Sequence, residues 1–353
     1  MASILNKLQK NTTVKEANIL ADSKFFNSQD MIQTPVPMMN VALSGRLDGG
    51  LTPGLTLFCG PSKHFKTAFT LLMVKAYLDK YKDAVCLFYD TEFGAPQGYF
   101  TSFGIDTKRV LHTPITDIEE MKHDTMTQLK GIERGDKVII VVDSIGNMAS
   151  RKEVDDAEKG SGAADMTRAK QLKSLFRMVT PHLTMKDIPM IVVNHIYMEL
   201  GLYPKAIVSG GTGIYLSADN IFIVGRQQQK ASNNEVTGYN FILNVEKSRF
   251  VREKSKIPIE VTYGGGIDMW SGLLEVALLS GHVTAPKQGW YKREGDEKNY
   301  RRAETHKKEF WKPILADPTF IKWIKDTYEL SVSSLISQFT DDEVEKEYTD
   351  AEV

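Results

Sequence analysis

Cysteine is nearly missing from this chain: two in 353 residues, Cys59 and Cys86, each inside an apolar run. Two such residues make neither a disulfide framework nor a zinc site, and they read as small buried hydrophobes. Long apolar runs are missing as well. No stretch approaches the roughly 18 apolar residues of a membrane-spanning helix. The N-terminus, Met1-Ala2-Ser3-Ile4-Leu5-Asn6-Lys7, has no apolar signal core. The chain is therefore expected to stay in the cytoplasm, with no membrane partner. A charge imbalance is missing too. Lys and Arg number 44 against 45 Asp and Glu, a net charge of −1, so bulk composition gives no nucleic-acid signal. Internal repeats are absent. What remains is ordinary: 42% apolar and 25% charged residues, which excludes the disordered and membrane classes. The length allows one large α/β core with a smaller appended region.

The charge is unevenly placed. Residues 341–353 hold seven acids and one lysine; with the whole chain at −1 and this stretch at −6, the remainder stands at +5. Such a tail reads as a solvated end, with screening of a polyanion site as the alternative. Residues 1–33 read as a short helix and an arm without a core of its own. Phe25 and Phe26 must pack somewhere, on this chain or on another subunit. Residues 34–265 form the expected core, residues 266–340 a small C-terminal subdomain, and 341–353 the acidic tail.

The most informative segment is Leu55-Thr56-Leu57-Phe58-Cys59-Gly60-Pro61-Ser62-Lys63-His64-Phe65-Lys66-Thr67. An apolar run ends at a glycine, a lysine and threonine follow, and residues 68–78 have a helical pattern. This is the strand, loop and helix of a phosphate-binding P-loop. Gly60, Pro61, Ser62, Lys63, His64 and Phe65 form such a cradle, in which the backbone N–H groups of all but Pro61 can point at phosphate, and the helix N-terminus adds positive dipole. Lys66 is expected between the β- and γ-phosphates of ATP, and the Thr67 hydroxyl on Mg²⁺. One position departs from the pattern: Phe65 stands where a glycine is usual. The loop is therefore expected to keep a backbone shape that tolerates a Cβ.

Further apolar runs, at 85–89, 110–113, 138–143, 190–194, 220–224, 241–245 and 257–263, alternate with helical patterns up to the last few. Alternation predicts a mostly parallel sheet with helices on both faces; the final runs, which lack intervening helices, predict an antiparallel edge. The run Val138-Ile139-Ile140-Val141-Val142 ends in Asp143, the form of a strand-terminal acid that holds Mg²⁺. A second run ends in Asp90-Thr91-Glu92. Ligands in open α/β sheets sit beyond the carboxyl ends of strands, so Glu92 is either the carboxylate that orients and deprotonates a water or a plain surface acid. A third run ends in Asn194-His195, where His195 either senses the γ-phosphate or is structural.

Several ordered segments together resemble the RecA family of recombinases, most closely the UvsX recombinases of T-even-like phages. They are Pro37-Met38-Met39-Asn40-Val41-Ala42-Leu43-Ser44-Gly45, the P-loop itself, Phe88-Tyr89-Asp90-Thr91-Glu92-Phe93-Gly94, Asp143-Ser144-Ile145-Gly146-Asn147 and Leu243-Asn244-Val245-Glu246-Lys247-Ser248-Arg249. UvsX-like chains also carry Phe at the Phe65 position. The resemblance implies a RecA-type P-loop NTPase core and a DNA-dependent ATPase that forms helical filaments on single-stranded DNA and exchanges strands with double-stranded DNA. It implies that Glu92 is catalytic, that Tyr99 stacks on adenine, that His195 stands where bacterial relatives have a glutamine sensor, and that Lys247 and Arg249 reach the neighbouring subunit's γ-phosphate. It further implies a single-strand-binding protein and a loader as partners, and host cytoplasm as the compartment.

Two segments read by composition as ordinary flexible loops, and the resemblance implies that DNA lies along them. The first is 149–165, followed by a helix with Lys170, Lys173 and Arg177 on one face and Leu172, Leu175, Phe176 and Val179 on another. The second is 196–213, with Tyr197, Tyr203, Lys205, Gly210 and Gly211. Lysine, arginine and glycine N–H groups suit backbone phosphates, and Arg168 resembles a family DNA contact. Other readings of the same core are a hexameric helicase, disfavoured by the short segment before Thr34, and a non-catalytic ATP-bound scaffold, disfavoured by the full set of Lys66, Thr67, Glu92 and Asp143.

Overall fold

In the computed structural model the described residues are 2–23, 25, 30–160, 167–199, 201, 204–231 and 234–330. The acidic stretch 341–353, the end of the C-terminal segment, Phe26 and Tyr203 lie outside them. In chain order the elements are α1 (Ala2–Asn11), α2 (Pro37–Ser44), β1 (Gly54–Cys59), α3 (Lys66–Lys80), β2 (Val85–Asp90), α4 (Gln97–Ser102), β3 (Val110–Pro114), α5 (Ile118–Gly131) and β4 (Val138–Asp143). There follow α6 (Arg151–Glu158), α7 (Thr167–Lys186), β5 (Pro189–Asn194), β6 (Ile196–Met198), β7 (Ala206–Val208), α8 (Thr212–Ser217), β8 (Asn220–Lys230), β9 (Val236–Lys247) and β10 (Lys256–Thr262). The chain closes with β11 (Gly266–Ile267), α9 (Leu273–Leu279), β12 (Val283–Lys287), β13 (Trp290–Arg293), β14 (Tyr300–Arg301), α10 (Lys308–Leu315) and α11 (Pro318–Tyr328).

Nine strands form one sheet in the order β11-β10-β9-β8-β1-β5-β4-β2-β3. From β8 to β3 every neighbouring pair is parallel; β8 with β9, β9 with β10 and β10 with β11 are antiparallel. The parallel strands and the antiparallel edge both match the sequence expectation. β1, β4 and β5 are buried at every residue, as strands covered on both faces must be. One apolar layer joins α2, α3 and the sheet to Leu273, Phe310, Trp311 and Phe320, so packing runs on without a break past residue 265. The other layer sets Leu172, Leu175, Phe176 and Val179 of α7, with Met121 and Leu129 of α5, against the opposite face. The antiparallel β12-β13-β14 sheet stands apart. No helix among the described residues is long and apolar enough to cross a membrane.

The two segments expected as loops hold regular structure. Residues 151–158 are helical because Ser150 caps them: its hydroxyl accepts from the Glu153 N–H, a contact worth about 1 kcal/mol. In the second segment β6 and β7 pair antiparallel as the two arms of a hairpin, Ile196 opposite Val208 and Met198 opposite Ala206. Phe25 settles on its own chain, its ring 5.2 Å from the Arg134 guanidinium.

α8 lies against α7 with no room to spare. A methyl group on Gly213 would come within 2.5–2.9 Å of Lys173 Cβ, Cγ and Cα. Gly213→Ala should therefore lift α8 and cost about 1–3 kcal/mol of stability. Denaturant unfolding checks this; a midpoint equal to the parent's would show that α8 yields freely.

Candidate functional site

The P-loop connects β1 to α3 at the carboxyl edge of the sheet. Gly60 donates its N–H to Asn194 O at 3.2 Å, which fixes the start of the loop against the end of β5. Lys66 is buried at the first turn of α3 and turns back on the loop, donating to Gly60 O (3.0 Å) and Pro61 O (2.8 Å). Burial lowers its pKa, opposed by the charges of Glu92 and Asp143. His64 Nδ1 lies 2.9 Å from Ser62 O.

Phe65 corrects the sequence expectation. The loop has not moved to a shape that suits a Cβ: Phe65 has φ 60°, ψ 17°, the left-handed region a glycine would take, and Lys63 also has φ 60°. A left-handed L-residue costs roughly 1–2 kcal/mol. Packing offsets this. The Phe65 ring stacks on Phe241 (centroids 5.2 Å apart, 21°) and meets Phe69 edge-on (5.9 Å, 70°), and such pairs contribute about 0.5–1.5 kcal/mol each.

Beyond the strand ends the acids converge. The Thr67 hydroxyl donates to Asp143 Oδ2 at 2.6 Å. Asp143 Oδ1 is buried with no hydrogen-bond partner. An orphaned carboxylate oxygen beside a P-loop hydroxyl fits a divalent cation, which takes oxygen ligands. Burial, with Glu92 and Asp90 adding to it, pushes the Asp143 carboxyl up to about 6.

Glu92 is held from three sides. The Ser144 hydroxyl donates to Oε1, Asn147 Nδ2 reaches the same oxygen at 3.3 Å, and His195 Nε2 lies 3.0 Å from it. The turn that carries Glu92 is pinned by Asp90, whose Oδ1 accepts from the N–H groups of Glu92 (3.1 Å) and Phe93 (2.7 Å). His112 Nε2 lies 3.1 Å from the other oxygen of Asp90. Thr91 stitches this turn to the end of β4 by accepting from Ser144 N and donating to Ser144 O. His195 has a fixed seat, because a Cβ on Gly146 would lie 2.1 Å from its Cδ2. Its N–H donates to Asn194 Oδ1, and its carbonyl accepts from Ser209 N at the base of the β6–β7 hairpin. The sequence expectations did not include Ser144, Asn147, Asp90 or His112. Ser144 and Asn147 follow the acid-ending strand, and that position was the available signal.

The remaining expected residues divide. Tyr99 is partly buried on α4, edge-on to Phe103 at 5.7 Å, and burial followed by the Asp143 charge raises its pKa. Lys247 and Arg249 lie toward the opposite edge of the sheet from their own P-loop. Lys247 Nζ donates to Tyr215 O and Leu216 O, and Arg249 pairs with Asp219 at 2.5 Å. Arg168 is engaged in the 145–148 turn, donating to the carbonyls of Ile145, Gly146 and Met148. Lys170 and Lys205 are exposed. Gly210 and Gly211 have φ 97° and 79° and shape the turn into α8. Tyr203 is outside the described residues.

Sheet order, P-loop and strand-terminal acids define a P-loop nucleotide-binding α/β protein. The RecA N-terminal domain family matches residues 3–268, and the family "Bacteriophage T4, Recombination and repair protein, C-terminal domain" matches residues 270–324. The chain is 47% identical over 340 residues to the "Recombination and repair protein" of Enterobacteria phage T4, covering 94% of this chain and 87% of that one. It is 25% identical over 258 residues to "Protein RecA" of Paracoccus denitrificans, covering 71% and 68%. The chain therefore belongs to the RecA family of recombinases, in its phage UvsX-like branch, a class of DNA-dependent ATPases.

The raised Asp143 pKa has a definite sign. A carboxyl raised from 3.8 to about 6 favours the fold most below pH 3.8 and loses that contribution as pH rises through 6, where the buried charge must be carried. A cation relieves that charge but competes with the proton below pH 6. The rise in Tm given by Mg²⁺ with ADP should thus be larger at pH 7.5 than at pH 5.5, and Asp143→Asn should flatten the difference. Equal increments at both pH values in the parent protein would exclude Asp143 as the ligand.

Proposed function

We propose that this protein is an ATP-dependent recombinase that assembles head to tail into a helical filament on single-stranded DNA and carries out homologous pairing and strand exchange. One observation carries the reading. Half of a nucleotide site (Lys66, Thr67, Glu92, Asp143) lies at the carboxyl edge of the sheet, while the cations Lys247 and Arg249 lie toward the other edge. A single chain cannot bring the two together; successive copies stacked edge to edge can, and a contact between different faces repeats into an open helix.

In this reading the P-loop N–H groups and Lys66 hold the ATP phosphates, and Tyr99 packs against the base. Thr67 and Asp143 hold Mg²⁺, which when bound neutralises charge on phosphate oxygens. Glu92 accepts the proton of the attacking water; its Oε1 is held by Ser144, Asn147 and His195, which leaves Oε2 to do so. Lys247 and Arg249 of the adjacent copy stabilise charge on the transferred phosphoryl group. His195 joins Glu92 to the β6–β7 hairpin, so DNA lying on that hairpin, on Lys205 and along Lys170 and the Gly210-Gly211 turn is coupled to turnover. Arg168 supports this surface by bracing the 145–148 turn. Amphipathic α1, with Ile4 and Leu8 exposed, docks on a neighbouring copy. Double-stranded DNA, a single-strand-binding protein and a loader complete the partners, in the cytoplasm that holds the DNA.

Electron microscopy with an ATP analogue and single-stranded DNA tests the assembly: helical filaments are expected, and closed rings or lone protomers would overturn it. The chemistry has its own test in DNA-stimulated ATP turnover. Lys66→Ala and Glu92→Gln should each lower kcat by roughly 100-fold or more, but only Lys66→Ala should also weaken nucleotide binding. Loss of ATP affinity in Glu92→Gln would remove Glu92 from the role of base.

A further inference from the structure

We infer that the antiparallel β8–β9 pair is a clamp on the P-loop that takes over the work of the missing glycine, with Phe241 and Arg226 as its positioning residues. The inference rests on the nucleotide-binding reading of the loop.

Arg226 on β8 and Phe241 on β9 are cross-strand partners. Partners in register project to the same face of a sheet. That shared face is turned to the loop, and the two side chains take hold of different residues there. The Phe241 ring stacks on Phe65 at 5.2 Å and meets Phe69, on the first turns of α3, at 5.8 Å. Arg226 Nη1 donates to Lys63 O at 3.2 Å. Both gripped residues have φ 60°, and the residue between them, His64, is thereby bracketed. Phe241 is 1% exposed, so its position is set by the core. Arg226 is steadied by the Tyr239 ring, 4.7 Å from its guanidinium, and Tyr239 in turn packs on Phe241 at 5.9 Å.

A left-handed residue without glycine persists only where its surroundings over-determine it. Here the surroundings are these two side chains, with Phe69 edge-on to Phe65 beside them. A P-loop glycine takes this conformation unaided; Phe65 takes it because its ring has a place to stack. The clamp therefore acts on loop shape, and through loop shape on where the N–H groups point at phosphate.

The dependence is testable by restoring the glycine. Binding of a fluorescent ADP analogue with Mg²⁺ is measured for Phe241→Ala, Phe65→Gly and the double variant, with Tm followed in parallel. Phe241→Ala should weaken binding about tenfold, the size of one left-handed residue left unsupported. In the Phe65→Gly background the same substitution should change binding by about twofold at most, although Tm falls in both backgrounds. A merely structural Phe241 would lower Tm and affect binding equally with or without Phe65. If Phe241→Ala does not fold, exposed Arg226 gives the parallel pair: Arg226→Ala should weaken ADP binding about threefold, and Lys63→Gly should remove that effect. Binding unchanged by Phe241→Ala or Arg226→Ala, or unrescued by glycine, overturns the clamp. Failure of the parent protein to bind ADP would instead sink the nucleotide reading itself.

Discussion

The polarity of the parallel sheet is the constraint on which the site depends. β1, β5, β4 and β2 run side by side in one direction, with Cys59 opposite Asn194 and Asp90 opposite Asp143. Their carboxyl ends therefore deliver Gly60, His195, Ser144 and Glu92 to one edge. The register cannot drift. β1, β4 and β5 are buried at every residue, so a slip of one residue would exchange their two packed faces and force both close-packed layers to be remade. The separations of 2.6 Å from Thr67 to Asp143 and 3.0 Å from His195 to Glu92 are thus inherited from apolar packing far from any phosphate.

Within that frame one carboxylate oxygen is the meeting point. Glu92 Oε1 receives Ser144, Asn147 and His195, residues from two strand ends. The backbone of the same histidine is bound to Ser209, where the β6–β7 hairpin returns. A change in the hairpin thus has a short covalent and hydrogen-bonded route to Glu92. Coupling of this kind needs two arrangements that both sites bias; with the ring of His195 seated against Gly146, a displaced hairpin backbone is carried to Glu92 through that ring.

Sequence made the strands legible because they are continuous Val, Ile, Leu and Phe runs, and it made Lys66, Thr67, Asp143 and Glu92 legible because each ends or begins such an element. It did not reveal what depends on residues distant in the chain. The left-handed Phe65 makes sense only beside Phe241, which no local pattern connects to it. Ser144 and Asn147 stood in view, but their aim at Glu92 comes from the fold. Arg168 reads as a free cation until its three carbonyl partners are seen. Residues 151–158 looked like loop because charge and the glycines after them hid the Ser150 cap.

The two edges also bear on how the site proposed between copies would be loaded and emptied. In the proposed filament Lys247 and Arg249 must leave their resting partners to serve the neighbouring copy. Those partners are weak ones. Arg249 is 67% exposed in its pair with Asp219, and exposed pairs contribute about 0–1 kcal/mol. Lys247 rests on two carbonyls, and burial already lowers its pKa, with the adjacent Arg249 charge adding to that. A triphosphate offers these cations more charge than one carboxylate and two carbonyls, so the exchange favours the occupied seam. Once the terminal phosphate is cut and lost, the balance returns to Asp219 and the α8 carbonyls, and the seam loosens. The same strand, β9, packs on its own P-loop through Phe241 and ends at Lys247. In the proposed filament that strand would be a rigid element along which strain at one nucleotide could reach the next.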